Sequence, residues 1–110
     1  MSNEHSQIKV EGRLGCLAQY CPDCQRVSLR YGNILMPLTQ ERFAEFRLFL
    51  GETCQRHFAQ AKAPELRFRF SELLLCFTKS EAEALLDVVE QAHTEICRFR
   101  LEQLFTKTGA

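Results

Sequence analysis

Two stretches of this chain, 39 residues apart, carry the same alternation of apolar and polar residues, and that repeat limits the fold more than any other feature. Val27-Ser-Leu-Arg-Tyr-Gly-Asn-Ile-Leu-Met-Pro-Leu-Thr39 lies over Leu66-Arg-Phe-Arg-Phe-Ser-Glu-Leu-Leu-Leu-Cys-Phe-Thr78. Identical residues are few (Arg30 over Arg69, Leu35 over Leu74, Thr39 over Thr78), so the match is one of pattern.

Each stretch reads as strand, turn, strand. Val27, Leu29 and Tyr31 alternate with Ser28 and Arg30, as Leu66, Phe68 and Phe70 do with Arg67 and Arg69, which is the period of a strand with one buried face. Gly32-Asn33 is a two-residue hairpin turn, and Ser71-Glu72 takes the same place in the second copy. Pro37 has no N–H to give a ladder, so its strand, Ile34 to Leu38, belongs at a sheet edge.

Thr39 and Thr78 are the expected N-caps of two helices, and Glu81, three residues after Thr78, completes a capping box. Phe46, Leu50, Cys54, Phe58 and Ala61 follow helical spacing up to Pro64. Leu85, Leu86, Val89, Ile96, Leu101 and Leu104 do the same in the second helix. Gly51, at a cost of about 1 kcal/mol in a helix interior, is expected to break the first helix or to admit another backbone. Upstream, Leu14 to Tyr20 and Gln25 to Tyr31 form a further hairpin around Cys21-Pro22-Asp23-Cys24, and Ile8 to Val10 add a short strand.

The expectation is a single α+β domain over residues 1–110, with two layers: a mostly antiparallel sheet of four or five strands and two helices on one face. It is built from a duplicated strand-strand-helix unit, about 25–63 and 64–105, with disordered ends at 1–7 and 106–110. At 110 residues, 45% apolar and 10% aromatic, the chain has material for one ordinary core.

Lys plus Arg and Asp plus Glu both number 14, so net charge steers the chain toward neither nucleic acid nor acidic lipid. Residues 1–7 are polar, without the basic and apolar regions of a signal peptide, and no apolar run approaches the roughly 18 residues of a membrane span. A cytoplasmic location is expected, where six cysteines are free thiols or metal ligands.

Cys21 and Cys24, two thiolates two residues apart in a tight turn, suit half of a tetrahedral zinc site. Two helical pairs can complete it: Cys54 with His57 at i, i+3 spacing, or His93 with Cys97 at i, i+4. Cys54 lies roughly 22 Å along the first helix from Thr39, whereas an antiparallel second helix returns toward the cysteine turn. The expected ligands are therefore Cys21, Cys24, His93 and Cys97, with Cys16 as a substitute. Against this, Cys16, Cys54, Cys76 and Cys97 all fit apolar faces as small hydrophobes, and His93 sits between Val89 and Ile96 like an ordinary neutral imidazole. A redox dithiol at Cys21 and Cys24 is the competing chemistry, although a strand follows Cys24 where a redox motif would have a thiolate-stabilising helix.

Arg30, Arg67 and Arg69 belong on the sheet face away from the helices, without the aromatic residues that base stacking requires, so nucleic-acid binding is not expected beyond a weak phosphate contact. Leu35 and Leu74 share that face and suggest a homodimer. With no Gly-rich phosphate loop, Gly-x-Ser-x-Gly elbow or His-Glu-x-x-His helix, the reading is a non-enzymatic accessory or interaction domain with a structural zinc. The alternatives are a small thiol-dependent redox protein or sensor, and weak nucleic-acid binding through the arginine-lined face.

The run from Cys21-Pro-Asp-Cys24 through Ser28-Leu-Arg-Tyr-Gly-Asn-Ile-Leu-Met-Pro-Leu-Thr39 to Glu41-Arg-Phe43 resembles a small uncharacterised bacterial family of about this length. That family shows a similar cysteine pair, a Phe-Gly-Asn-Ile-like strand turn and an Asp/Glu-Phe helix start. The resemblance covers residues 16–50 best, implies no activity, and does not extend to His93 or Cys97.

Overall fold

The computed structural model describes residues 8–60 and 65–108. In chain order these form β1 (Ile8–Glu11), a single 3₁₀ turn (Arg13–Gly15), β2 (Leu17–Cys21), β3 (Arg26–Tyr31), β4 (Ile34–Thr39), α1 (Gln40–Gln60), β5 (Glu65–Phe70), β6 (Leu73–Thr78) and α2 (Lys79–Thr108). The α+β class is as expected. Of the ends expected to be disordered, 1–7 and 109–110 lie outside the described residues, while 106–108 continue α2.

The strands fall into two antiparallel sheets, β1-β2-β3-β4 and the hairpin β5-β6, where the sequence suggested one. Pro37 lies in β4, the terminal strand of the first sheet, as its missing N–H requires. The hairpin is held by its aromatic face instead of by a shared ladder. Phe70 meets Phe46 of α1 edge-on at 4.9 Å, Phe68 meets Phe49 at 5.3 Å, and Phe77 meets Tyr31 of β3 at 5.2 Å.

Both sheets turn one face inward. Val10, Ala18, Tyr20, Val27, Leu29, Met36 and Leu38 are buried on the first, and Leu66, Phe68, Phe70, Leu75 and Phe77 on the second. Together with Phe43, Phe46 and Leu50 of α1 and Leu85, Val88 and Val89 of α2 they make one core. The register explains the alternation: Leu29 opposes Met36 on the inner face, while Arg30 opposes Leu35 and Arg69 opposes Leu74 on the outer.

Strand bounds and pairing recur at the 39-residue offset. Arg26–Tyr31 matches Glu65–Phe70, Ile34–Thr39 matches Leu73–Thr78, and Arg26↔Thr39 matches Glu65↔Thr78. Both caps form: the Arg42 N–H donates to Thr39 Oγ1 at 3.1 Å, and the Glu81 N–H donates to Thr78 Oγ1 at 3.2 Å.

Two expectations fail for identifiable reasons. Gly51 neither breaks α1 nor meets a neighbour, since a Cβ built there has no heavy atom within 4 Å. Gly12 is the glycine that admits close approach, because a Cβ there would collide with Val88 of α2, and Arg13 pairs with Asp87 next to it at 2.8 Å. In α2, burial ends at Ile96 and the half-buried Phe99, so Leu101 is 54% exposed despite its helical spacing; the helix outruns the strands beneath it.

Candidate functional site

Cys21 ends β2 and Cys24 stands two residues before Arg26, the start of β3. The Gln25 N–H donates to the Cys21 carbonyl at 2.8 Å, and Gln25 takes the left-handed conformation, φ 57°, which closes the four-residue turn. The fold of this turn aims hydrogen-bond donors at Cys21. Its thiol is held below the ordinary range first by the Cys24 backbone N–H and then by the Cys24 side chain, with the Asp23 N–H adding to them. Cys24 shifts the other way, because its side chain is bonded to Cys21 and faces the charge that settles there. The thiolate stabilisation that a following helix would have provided therefore comes from the turn itself. The cue was the length of the turn, Pro22 to Gln25, between two paired strands.

Across the strands, Cys21 pairs with Arg26 and Arg26 with Thr39, which places the cysteine turn beside the start of α1. The far part of α2 reaches the same region. A cleft of about 580 Å³ is lined by Cys24 and Arg26 from the turn and β3, Thr39 and Gln40 at the start of α1, and His93, Cys97 and Arg100 from α2. Phe43 and Ile96, 2% and 4% exposed, form its apolar wall. Tyr20, from the inner face of β2, donates to Gln40 Oε1 at 3.2 Å and anchors that end of α1.

His93 and Cys97 touch, with Cys97 Sγ 3.6 Å from His93 Nε2, as i, i+4 positions on one helix face allow. Burial lowers the His93 pKa, the Arg47 charge lowers it further and Glu90 opposes both, so the balance favours the neutral imidazole. A neutral imidazole and a thiolate are the forms that ligate a soft divalent cation.

The four expected ligands thus stand as two touching pairs, and Cys24, His93 and Cys97 share one cleft. They are not drawn into one cluster: among the described residues no group of three or more His, Cys, Asp or Glu is close enough to hold a metal ion.

The other cysteines separate by face. Cys16, at the opposite end of β2 and 2% exposed, has its thiol pushed up by burial and is a core residue, not a substitute ligand. Cys54 is also buried, with a pKa raised to about 11 by burial and by Glu83. Cys76 and Cys97, expected to fit apolar faces, are exposed. Register puts Cys76 opposite Arg67 on the outer face, where its thiol donates to Glu65 Oε1 at 3.4 Å. Arg100 and Gln40 were not singled out in the sequence, since only the packing of α2 against α1 makes them neighbours of the cysteine turn.

Arg30 is exposed opposite Leu35 on the outward face of the first sheet, and Arg67 and Arg69 are exposed near Leu74 on that of the hairpin; Leu35 and Leu74 are 61% and 68% exposed, while Phe68 and Phe70 are buried on the other side. Among the described residues neither outward strand face carries a ring for a base to stack on. No helix among the described residues is long and apolar enough to cross a membrane. Comparison with protein-family models, with curated proteins and with solved structures finds no match.

Proposed function

We propose that this chain is a small non-enzymatic cytoplasmic accessory domain in which Cys21, Cys24, His93 and Cys97 bind one zinc ion across the cleft. The observation that carries this reading is the cysteine turn, whose N–H groups lower the Cys21 thiol pKa and whose Cys24 lines the same cleft as His93 and Cys97. Backbone N–H groups donated to a ligand sulfur orient it and lower the cost of its charge, which is the support a metal ligand needs. Because the two pairs stand apart, zinc binding draws the turn toward α2. The zinc would supply cross-linking of β2, β3 and α2, and no reaction step is assigned to it.

The same reading takes residues 25–63 and 64–105 as copies of one unit, on the support of the coincident strand bounds and caps. Zinc would then tie the segment before the first copy to the second, since Cys21 and Cys24 precede the repeated strands and His93 and Cys97 lie in α2. The exposed Leu35 on the first sheet and Leu74 on the hairpin support a homodimer through the outward sheet faces.

The lowered Cys21 thiol also favours a second reading, a redox dithiol in which Cys21 attacks a partner disulfide and Cys24 resolves the mixed disulfide. Metal analysis of protein purified without an affinity tag separates the two. One equivalent of zinc, lost in Cys24→Ser, is the expected result; protein that purifies without zinc, takes up none when it is added, and forms a reversible Cys21–Cys24 disulfide transfers the assignment to redox chemistry.

A further inference from the structure

We propose that the far end of α2 pairs antiparallel with the same segment of a second copy of this chain, about a two-fold axis beside Leu101. This contact is separate from the outward sheet faces, and it goes beyond the metal reading by bringing residues of the partner to Cys97. At about 1.5 Å per residue the 30 residues of α2 span about 45 Å, more than twice the length of a six-residue strand. Beyond Ile96 and Phe99 the helix carries Leu101, Leu104 and Phe105, which are 54%, 59% and 71% exposed. Spacings of three and four put them on one helix face, with the exposed Cys97 four residues before Leu101. One turn earlier on that face stands Thr94, whose hydroxyl donates to the Glu90 carbonyl at 3.1 Å, so the apolar run begins at Cys97. Large apolar side chains held in water on adjacent turns form the kind of patch that associates.

Charge fixes the occupant and its direction. Arg98 and Glu102 lie four residues apart on one flank of the apolar run, and His93 and Arg100 lie on the other. In an antiparallel pair related by a two-fold axis each flank meets its own counterpart, so Glu102 of each helix reaches Arg98 of the other, and the contact forms twice. Arg98 is free to turn outward, since its bond to Glu95 is 3.5 Å long and its side chain is 62% exposed. A parallel pair would instead set Arg98 against His93 and Arg100, with no carboxylate to answer it. Around the axis Leu101 meets Leu101, and the partner's Leu104 and Phe105 lie over Cys97, at the mouth of the cleft that Cys97 lines.

The test is sedimentation equilibrium of reduced protein with a chelator present, so that neither disulfides nor zinc contribute to association. It is run in a Leu35→Glu, Leu74→Glu background, which removes contact through the sheet faces and should still give the mass of a dimer. Adding Leu101→Glu should halve that mass. Adding Glu102→Arg should weaken the dimer by about tenfold, and Arg98→Glu on top of it should restore the parent affinity. Cys97 should alkylate faster once Leu101→Glu has removed the partner's cover. Leu101, Arg98 and Glu102 are exposed, so these variants should keep the far-ultraviolet circular dichroism of the background protein. A monomeric background protein, an unchanged mass with Leu101→Glu, or a charge exchange that fails to restore the dimer would overturn the proposal. Because metal is kept out, none of these outcomes bears on zinc, and an absence of zinc leaves the measurement unaffected.

Discussion

Thr78 and Glu81 bond each other in both directions: the Thr78 N–H donates to Glu81 Oε1 at 2.9 Å and the Glu81 N–H donates to Thr78 Oγ1 at 3.2 Å. This capping box fixes where β6 stops and α2 starts, and it satisfies two donors that the helix itself cannot. Thr78→Ala is expected to lower stability by about 1 kcal/mol. Thr39→Ala, which removes a cap without a returning glutamate, should cost a similar or smaller amount. Urea denaturation followed by circular dichroism checks both, and a Thr78→Ala protein as stable as the parent would mean that the box is not formed.

Glu81 is also bonded to Tyr31, which gives the fold a dependence on alkaline pH. Burial first, then the Glu81 bond and charge, push the Tyr31 hydroxyl from 10.0 up to about 12. A group raised on folding stabilises fully below its unfolded value, and that contribution is lost as pH climbs through the folded value. Stability should therefore fall between pH 10 and about 12, and Tyr31→Phe should flatten that fall. Glu81 shifts down, chiefly through the Tyr31 bond, so its own contribution is present above the ordinary carboxylate range and is lost as pH falls below it. Denaturation midpoints measured across both ranges in the parent and in Tyr31→Phe test the two signs.

The two glycines that differ most in surroundings should respond in opposite directions. Gly51 is inside α1 with open space around it, so Gly51→Ala should stabilise by about 1 kcal/mol. Gly12→Ala has to displace Val88 from its place against the β1 end and should destabilise by about 1–3 kcal/mol. Thermal melts of the two variants check this, and a Gly12→Ala protein as stable as the parent would contradict the packing of α2.

In metal-free, reduced protein the thiols should alkylate in an order set by the fold. Cys21, whose thiol pKa the turn lowers, should label first at neutral pH, and the buried Cys16 and Cys54 last. Mass spectrometry of iodoacetamide-treated samples over time gives the order directly. Labelling of the exposed Cys76 before Cys21 would contradict the hydrogen bonding of the turn.

What could be read from the residues alone was local. Alternation in Val27 to Tyr31 and Leu66 to Phe70, the two threonine caps and the i, i+4 pair His93 and Cys97 each depend on neighbours within a few positions, and each appears where the spacing puts it. The division into two sheets could not be read that way, because β4 and β5 have similar patterns whether or not they pair, and long-range aromatic contacts such as Phe46 with Phe70 decide it. Leu101 shows the same limit: its spacing is correct for a buried face, but nothing in α2 reveals where the strands beneath it end. The cleft was half legible. The cysteine turn and the α2 pair were visible, whereas Gln40 and Arg100 became neighbours of the turn only when three separate elements met around it.

Cobalt titration addresses the metal assignment most directly, because Co²⁺ bound by thiolates in a tetrahedral site has sulfur-to-metal absorption and visible bands that zinc lacks. The account predicts saturation at one equivalent in the reduced parent, displacement by zinc, and weakened or altered spectra in both Cys24→Ser and Cys97→Ser. A parent that develops no thiolate bands, or a Cys97→Ser protein whose spectrum and stoichiometry equal those of the parent, would contradict it.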